Sequence, residues 1–108
     1  MFFNKKGEHL WYDGKKFSVG NTVSVKNNIE YDGLFGRIIE IRSGADMETD
    51  NASPDIYCSF FRPKRETVLR EIEKRFSEIH RKEVRWEDLG LERVIMPPEM
   101  LECVTRKI

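Results

Sequence analysis

The clearest periodic signal in the chain is helical, and it stands almost alone among short alternating segments. Val68, Leu69, Ile72, Phe76 and Ile79 recur at steps of three and four, which places them along one apolar stripe of a helix over residues 64–82. Glu66–Arg70, Glu71–Arg75 and Glu78–Lys82 stand four apart in the favourable order, each pair contributing roughly 0.2–0.5 kcal/mol. Pro63 suits the first turn, where its missing N–H is no loss. On this spacing Arg70, Lys74 and Arg81 fall almost opposite the stripe. A helix with one dry side and one wet side needs a surface to pack on, so the rest of the chain must supply it.

That surface reads as antiparallel sheet. Asp13-Gly14 lies between Leu10-Trp11-Tyr12 and Lys15-Lys16-Phe17, a hairpin signal because a tight turn needs positive φ. Thr22 to Lys26 alternates strictly, with Val23 and Val25 on the buried side. Ile38 to Arg42 is a further strand and 55–61 another, separated by the polar turn-rich loop Ser43 to Pro54. After the helix come a helical turn at Trp86 to Gly90, an apolar strand at Arg93 to Met96, and Pro97-Pro98, which cannot continue a ladder. Leu101 to Val104 resumes the β pattern. With 108 residues and 39% hydrophobic side chains, the chain has material for one domain and one core.

Two glycines sharpen this outline. Val19-Gly20-Asn21-Thr22-Val23-Ser24-Val25 is followed, after a polar loop, by Gly33-Leu34-Phe35-Gly36-Arg37-Ile38-Ile39-Glu40-Ile41. The run resembles a KOW-type segment of an SH3-like barrel, with Gly20, Val23, Val25, Gly33, Gly36, Ile38 and Ile41 at the motif positions and Asn21 in place of the usual aspartate. Met96 to Leu101 is similar to the 3₁₀ turn that such barrels place between their last two strands. The resemblance implies a mainly β fold with one inserted helix (α+β). Its parts are an N-terminal hairpin over 1–18, three barrel strands over 19–61, a helical insertion over 62–90, and two closing strands over 91–108. It also implies RNA contact through the loop between the first two strands, which here carries Glu30 and Asp32 and no base. More loosely, 19–104 resembles small uncharacterised bacterial proteins carried on mobile elements. That resemblance implies an inhibitor of a host defence nuclease, as anti-CRISPR proteins are.

Little in the sequence points to catalysis. His9 and His80 are the two histidines, and neither falls into a Ser-His-Asp, Cys-His or H-E-x-x-H spacing. His80 borders the stripe as a packing residue. Cys58 and Cys103 lie in apolar runs without C-x-x-C spacing, as reduced buried thiols of a cytoplasmic protein do; a structural disulfide is the alternative. Asp46, Glu48 and Asp50 alternate like the start of a calcium loop, but Pro54 and Tyr57 occupy the ninth and twelfth positions, so 46–55 reads as a solvated acidic loop. We expect no enzyme activity, no metal and no cofactor. No apolar run reaches membrane-spanning length, and the start Met1 to Lys6 lacks the pattern of a secretory signal.

Charge then locates the surface most suited to a partner. Nineteen basic and nineteen acidic side chains cancel, which argues against binding DNA by bulk charge. Residues 62–85 nevertheless hold nine bases against five glutamates. We expect Arg62, Lys64, Arg65, Arg70, Lys74 and Arg81 to form the binding face for a protein or protein–nucleic acid complex, with an RNA-binding module as the alternative and an ordinary solvated helix as the bland one. No aromatic interleaves these exposed bases, which disfavours stacking on single strands. Trp11, Tyr12 and Phe17, with Phe2 and Phe3, either cover the end of the barrel or form a partner or dimer surface, so monomer and homodimer both stay open.

Overall fold

A computed structural model of the chain describes residues 8–104; Phe2 and Phe3 lie outside them. The fold is mainly β with one helix. A hairpin of β1 (His9–Tyr12) and β2 (Lys15–Ser18) forms its own two-stranded sheet. Its turn residues Asp13 and Gly14 adopt φ of 51° and 77°, the left-handed pair that a two-residue hairpin turn requires. The second sheet contains β3 (Thr22–Val25), β4 (Phe35–Arg42), β5 (Asp55–Phe60), β6 (Val94–Met96) and β7 (Leu101–Cys103), in the spatial order β6-β5-β4-β3-β7. Helix α1 (Glu66–His80) lies between β5 and β6 in sequence.

Every ladder is antiparallel, and the sheet is open, with β6 and β7 as its two edges. The meander from β3 to β6 returns through a 3₁₀ turn at Pro98–Met100, so that β7 pairs on the far side of β3. Pro98 sits in the first turn, where no amide hydrogen is needed, and the Met100 N–H closes on the Pro97 carbonyl at 3.1 Å. Another 3₁₀ turn, Trp86–Asp88, leads from the helix back to the sheet.

The core explains the spacing of the apolar residues. Val23 and Val25 face inward from β3, and Ile56, Cys58 and Phe60 from β5. In β4 both Ile38 and Ile41 are buried although they stand an odd three residues apart. The register shifts between Ile38 and Glu40, and this bulge turns the strand by one residue, so both isoleucines reach the same side. Phe17 of the hairpin is 1% exposed and joins this core, with Leu10 and Tyr12 packed against it.

The helix is seated on the same core through a narrower stripe than the spacing suggests. Leu69, Ile72, Glu73 and Phe76 are buried, whereas Val68 and Ile79 are exposed. Helix ends also differ from expectation. Pro63 precedes the helix, whose N-cap is Arg65, and Arg81 is the C-cap in a left-handed conformation with φ of 58°. Among the described residues, no helix is long and apolar enough to cross a membrane.

Gly33 and Gly36 serve different purposes. Gly33 has φ of +85° with open space around its missing side chain, whereas a Cβ on Gly36 would stand 2.6 Å from the Ser59 carbonyl oxygen and 2.8 Å from the Phe60 ring. Gly36→Ala is therefore expected to destabilise by about 1–3 kcal/mol through overpacking between β4 and β5. Gly33→Ala is expected to lose about 1–2 kcal/mol through backbone strain alone. Urea denaturation of both variants checks this. Measured against Phe60→Leu alone, Gly36→Ala should cost less than in the parent because the ring contact is gone, whereas Gly33→Ala should cost the same in both backgrounds.

Candidate interaction surface

The surface around α1 is set by what holds the helix down. Tyr31, in the loop between β3 and β4, stacks on Phe60 of β5 with ring centres 5.9 Å apart and meets Phe76 of the helix edge-on at 5.6 Å. The Arg75 guanidinium donates to the carbonyls of Glu30 at 3.3 Å and Asp32 at 2.7 Å. His80 stacks on Phe76, and its Nε2 lies 3.7 Å from a carboxylate oxygen of Glu30. The acidic β3–β4 loop is thus the cradle of the helix.

A buried carboxylate fixes the other flank. Glu73 Oε2 accepts the Trp86 backbone N–H at 2.9 Å, and Oε1 accepts from Arg70 at 2.9 Å. Arg70 also pairs with Glu66. The Trp86 amide holds the Glu73 carboxyl below its ordinary pKa and the Arg70 pair adds to this, against the opposing effect of burial. Ser77 continues the seam, its hydroxyl accepting the Val84 N–H at 3.0 Å.

Glu73 also changes where the bases point. At 3.6 residues per turn, counting Glu73 in the buried stripe rotates that stripe toward Arg70 and Lys74. Arg70 therefore flanks the stripe, while Lys74, with Thr67, Glu71 and Glu78, stays nearly opposite it. Expecting Arg70, Lys74 and Arg81 as one outward row is corrected on two counts. Arg70 is engaged by Glu66 and the buried Glu73, and Arg81 has left the helix as its cap, whereas Lys74 is exposed and faces outward.

Arg70, Lys74, Glu83 and Arg85 line a shallow groove of about 330 Å³ between α1 and the 83–85 segment. Arg62, Lys64 and Arg65 are exposed just ahead of the helix. Arg81 and Lys82 are exposed at its far end, about 22 Å away at 1.5 Å per residue. Among the described residues, Arg62, Lys64, Arg65, Lys74, Arg81 and Lys82 form no ion pair. Arg75 is spent on carbonyls, and Arg85 stands 3.9 Å from Glu83. Arg85 is the groove residue that helix spacing could not place, since it follows the helix in an irregular segment.

The remaining sequence candidates are placed elsewhere. Phe17 is core, so it offers no partner surface, and Tyr12 is half-buried; Trp11 is 64% exposed, with the Lys16 ammonium 5.9 Å from its ring centre. The 43–54 loop is pinned rather than freely solvated. The buried Asp55 accepts from the Glu48 and Thr49 amides and the Thr49 hydroxyl, while Glu48 takes the Tyr57 hydroxyl. Tyr57 is in turn covered by the guanidiniums of Arg93 at 4.3 Å and Arg42 at 5.0 Å. Among the described residues, no three His, Cys, Asp or Glu side chains converge to hold a metal.

Both cysteines are free thiols, Cys58 buried and Cys103 only half-buried. Burial pushes Cys58 up to about 12, and burial also raises Cys103. Neither is poised as a thiolate nucleophile.

Comparison of the chain with protein-family models, with curated proteins and with solved structures finds no match.

Acid should act through the two buried carboxylates. Burial alone would raise Asp55, but the hydrogen bonds from Thr49 and Glu48 outweigh it, so Asp55, like Glu73, lies below its ordinary value. Groups depressed on folding add stability above their unfolded values of about 4, and that stability is lost as pH falls through the folded values. Urea midpoints should therefore fall between about pH 5 and pH 3. Glu73→Gln should be less stable at neutral pH and show a shallower fall; an unchanged slope would mean that Glu73 does not couple to folding.

Proposed function

We propose that the protein is a non-enzymatic binding module that docks on a protein–nucleic acid complex through the electropositive surface of α1 and the segments flanking it. The observation that carries this reading is the group of six exposed cations without an ion pair, beside a groove lined by Lys74 and Arg85. A helix that merely braced a sheet would gain from pairing such charges; left unpaired, they form a field that steers an acidic partner.

We further propose that the five-stranded sheet is an SH3-like barrel. Its order β6-β5-β4-β3-β7, the bulge in β4 and the 3₁₀ turn before β7 support this, although the sheet stays open. Inhibition of a host defence nuclease is one form the docking takes under this reading, supported by the resemblance to mobile-element proteins alone. RNA binding through the β3–β4 loop is the less favoured reading, because that loop is acidic and occupied by Tyr31, Arg75 and Phe76 in seating the helix.

The test is capture of a partner from lysate with and without nuclease treatment, comparing the parent with Lys74→Glu/Arg81→Glu/Arg85→Glu. Arg70 is left intact because a glutamate there would face Glu66 and Glu73. The triple variant should keep its stability within about 0.5 kcal/mol per site. It should lose at least about tenfold in affinity, since like charges would then face the partner. Undiminished capture would overturn the assignment and turn attention to Trp11.

A further inference from the structure

The chain path brings two aromatic side chains and several bases together that helix spacing kept apart. The Phe61 N–H donates to the Phe35 carbonyl at 2.8 Å, continuing the register in which Gly36 faces Phe60. Phe35 and Phe61 are therefore directly opposed across β4 and the end of β5 and project from the same, outer face. They are 50% and 46% exposed, and neither ring stacks on another aromatic among the described residues.

The surroundings of this pair are basic and hydroxylic. Arg37 follows Phe35 by one strand repeat on the same face, opposite Thr22 and Ser59, and Ser24 is the β3 partner of Phe35. Arg62 directly follows Phe61, with Lys64 and Arg65 just beyond, all exposed. The far strand contributes an acid, Glu102, opposite Ser24, with Lys26 close by it and Lys15 beside Lys26.

We propose that Phe35 and Phe61 form a base-stacking platform for single-stranded nucleic acid, its phosphates held by Arg37, Arg62, Lys64 and Arg65. Flat exposed rings take bases of any sequence, and adjacent cations follow the backbone, which is the combination that single-strand platforms use. The occupant is argued from charge: a greasy protein ridge would cover the rings but leave uncompensated Arg37 on the same face and the bases at 62, 64 and 65 that follow Phe61 in the chain. The absence of aromatics between the helical bases does not bear on this face, because the aromatics come from strands. The proposal rests on the basic surface being a docking face, but it concerns different residues from Lys74, Arg81 and Arg85, so the two can fail separately.

The experiment is fluorescence anisotropy of the full chain with a labelled oligouridylate of roughly 12 nucleotides, within the usual site sizes. A duplex of the same length and an oligoglutamate peptide serve as comparison probes. The single strand should bind more tightly than either. Phe61→Ala and Phe35→Ala should each weaken it roughly 5- to 150-fold. Phe61→Leu keeps apolar area without a stacking face and should lose affinity, whereas Phe61→Tyr should retain it. Arg62→Glu/Lys64→Glu should make the dependence on salt less steep. Circular dichroism melts establish that each variant is folded. Failure of the parent to bind the oligonucleotide, equal affinity in Phe61→Leu, or preference for oligoglutamate would each overturn the platform. Loss of partner capture in the Lys74 triple variant with oligonucleotide binding retained would leave it standing.

Discussion

Tyr31 is the hinge-pin of this architecture. Wedged between Phe60 of the sheet and Phe76 of the helix, it converts a surface loop into the seat of α1. Aromatic pairs at these separations contribute about 0.5–1.5 kcal/mol each beyond the apolar area they bury. Arg75 locks the same loop by its backbone, and Glu73 ties the opposite flank to Trp86. The helix can therefore neither roll nor slide without breaking a buried contact. Which bases face solvent follows from that seating, so the surface chemistry is a consequence of the core.

Much of this was legible in the sequence because it depended on local physics. Asp13-Gly14 makes its turn by backbone conformation alone, and Pro97-Pro98 interrupts a strand for lack of an amide hydrogen. Alternation placed Val23 and Val25 correctly because no bulge intervenes in β3. Other features needed tertiary information. Glu73 stands four residues after Leu69 and three before Phe76, a stripe position that its charge disguised; the signal was its place on the wheel. Val68 and Ile79 looked like core because periodicity cannot tell where a helix overhangs its support. Phe35 and Phe61 lie far apart in sequence and meet only through strand register, so no local pattern could pair them. Arg81 reads as helical on spacing, yet the helix ends there with a left-handed cap, a place usually taken by glycine.

Two surfaces emerge, and one short segment joins them. Arg62, Lys64 and Arg65 lie between the end of β5, beside Phe61, and the start of α1, the helix that carries Lys74. A ligand carrying protein and nucleic acid would meet both at once, and the short connecting segment would then couple them by proximity. Farther along the same outer face of the sheet, where Tyr57 stands one strand repeat from Ser59, the character is different. There Tyr57, Arg42, Arg93, Glu40 and Glu48 satisfy one another's charges and hydrogen bonds, so that region holds the long loop in place and offers little to a charged partner.

The central claim is that the chain presents its basic, aromatic side to a nucleic-acid-containing target. Backbone amide chemical-shift mapping of the isotope-labelled protein, titrated with a single-stranded oligonucleotide, tests it most directly. Perturbations should concentrate at 35–37 and 59–65 and extend to Lys74, leaving Trp11, Lys15 and Lys16 of the hairpin unmoved. Shifts centred on the hairpin, or spread evenly over every exposed base, would contradict the account.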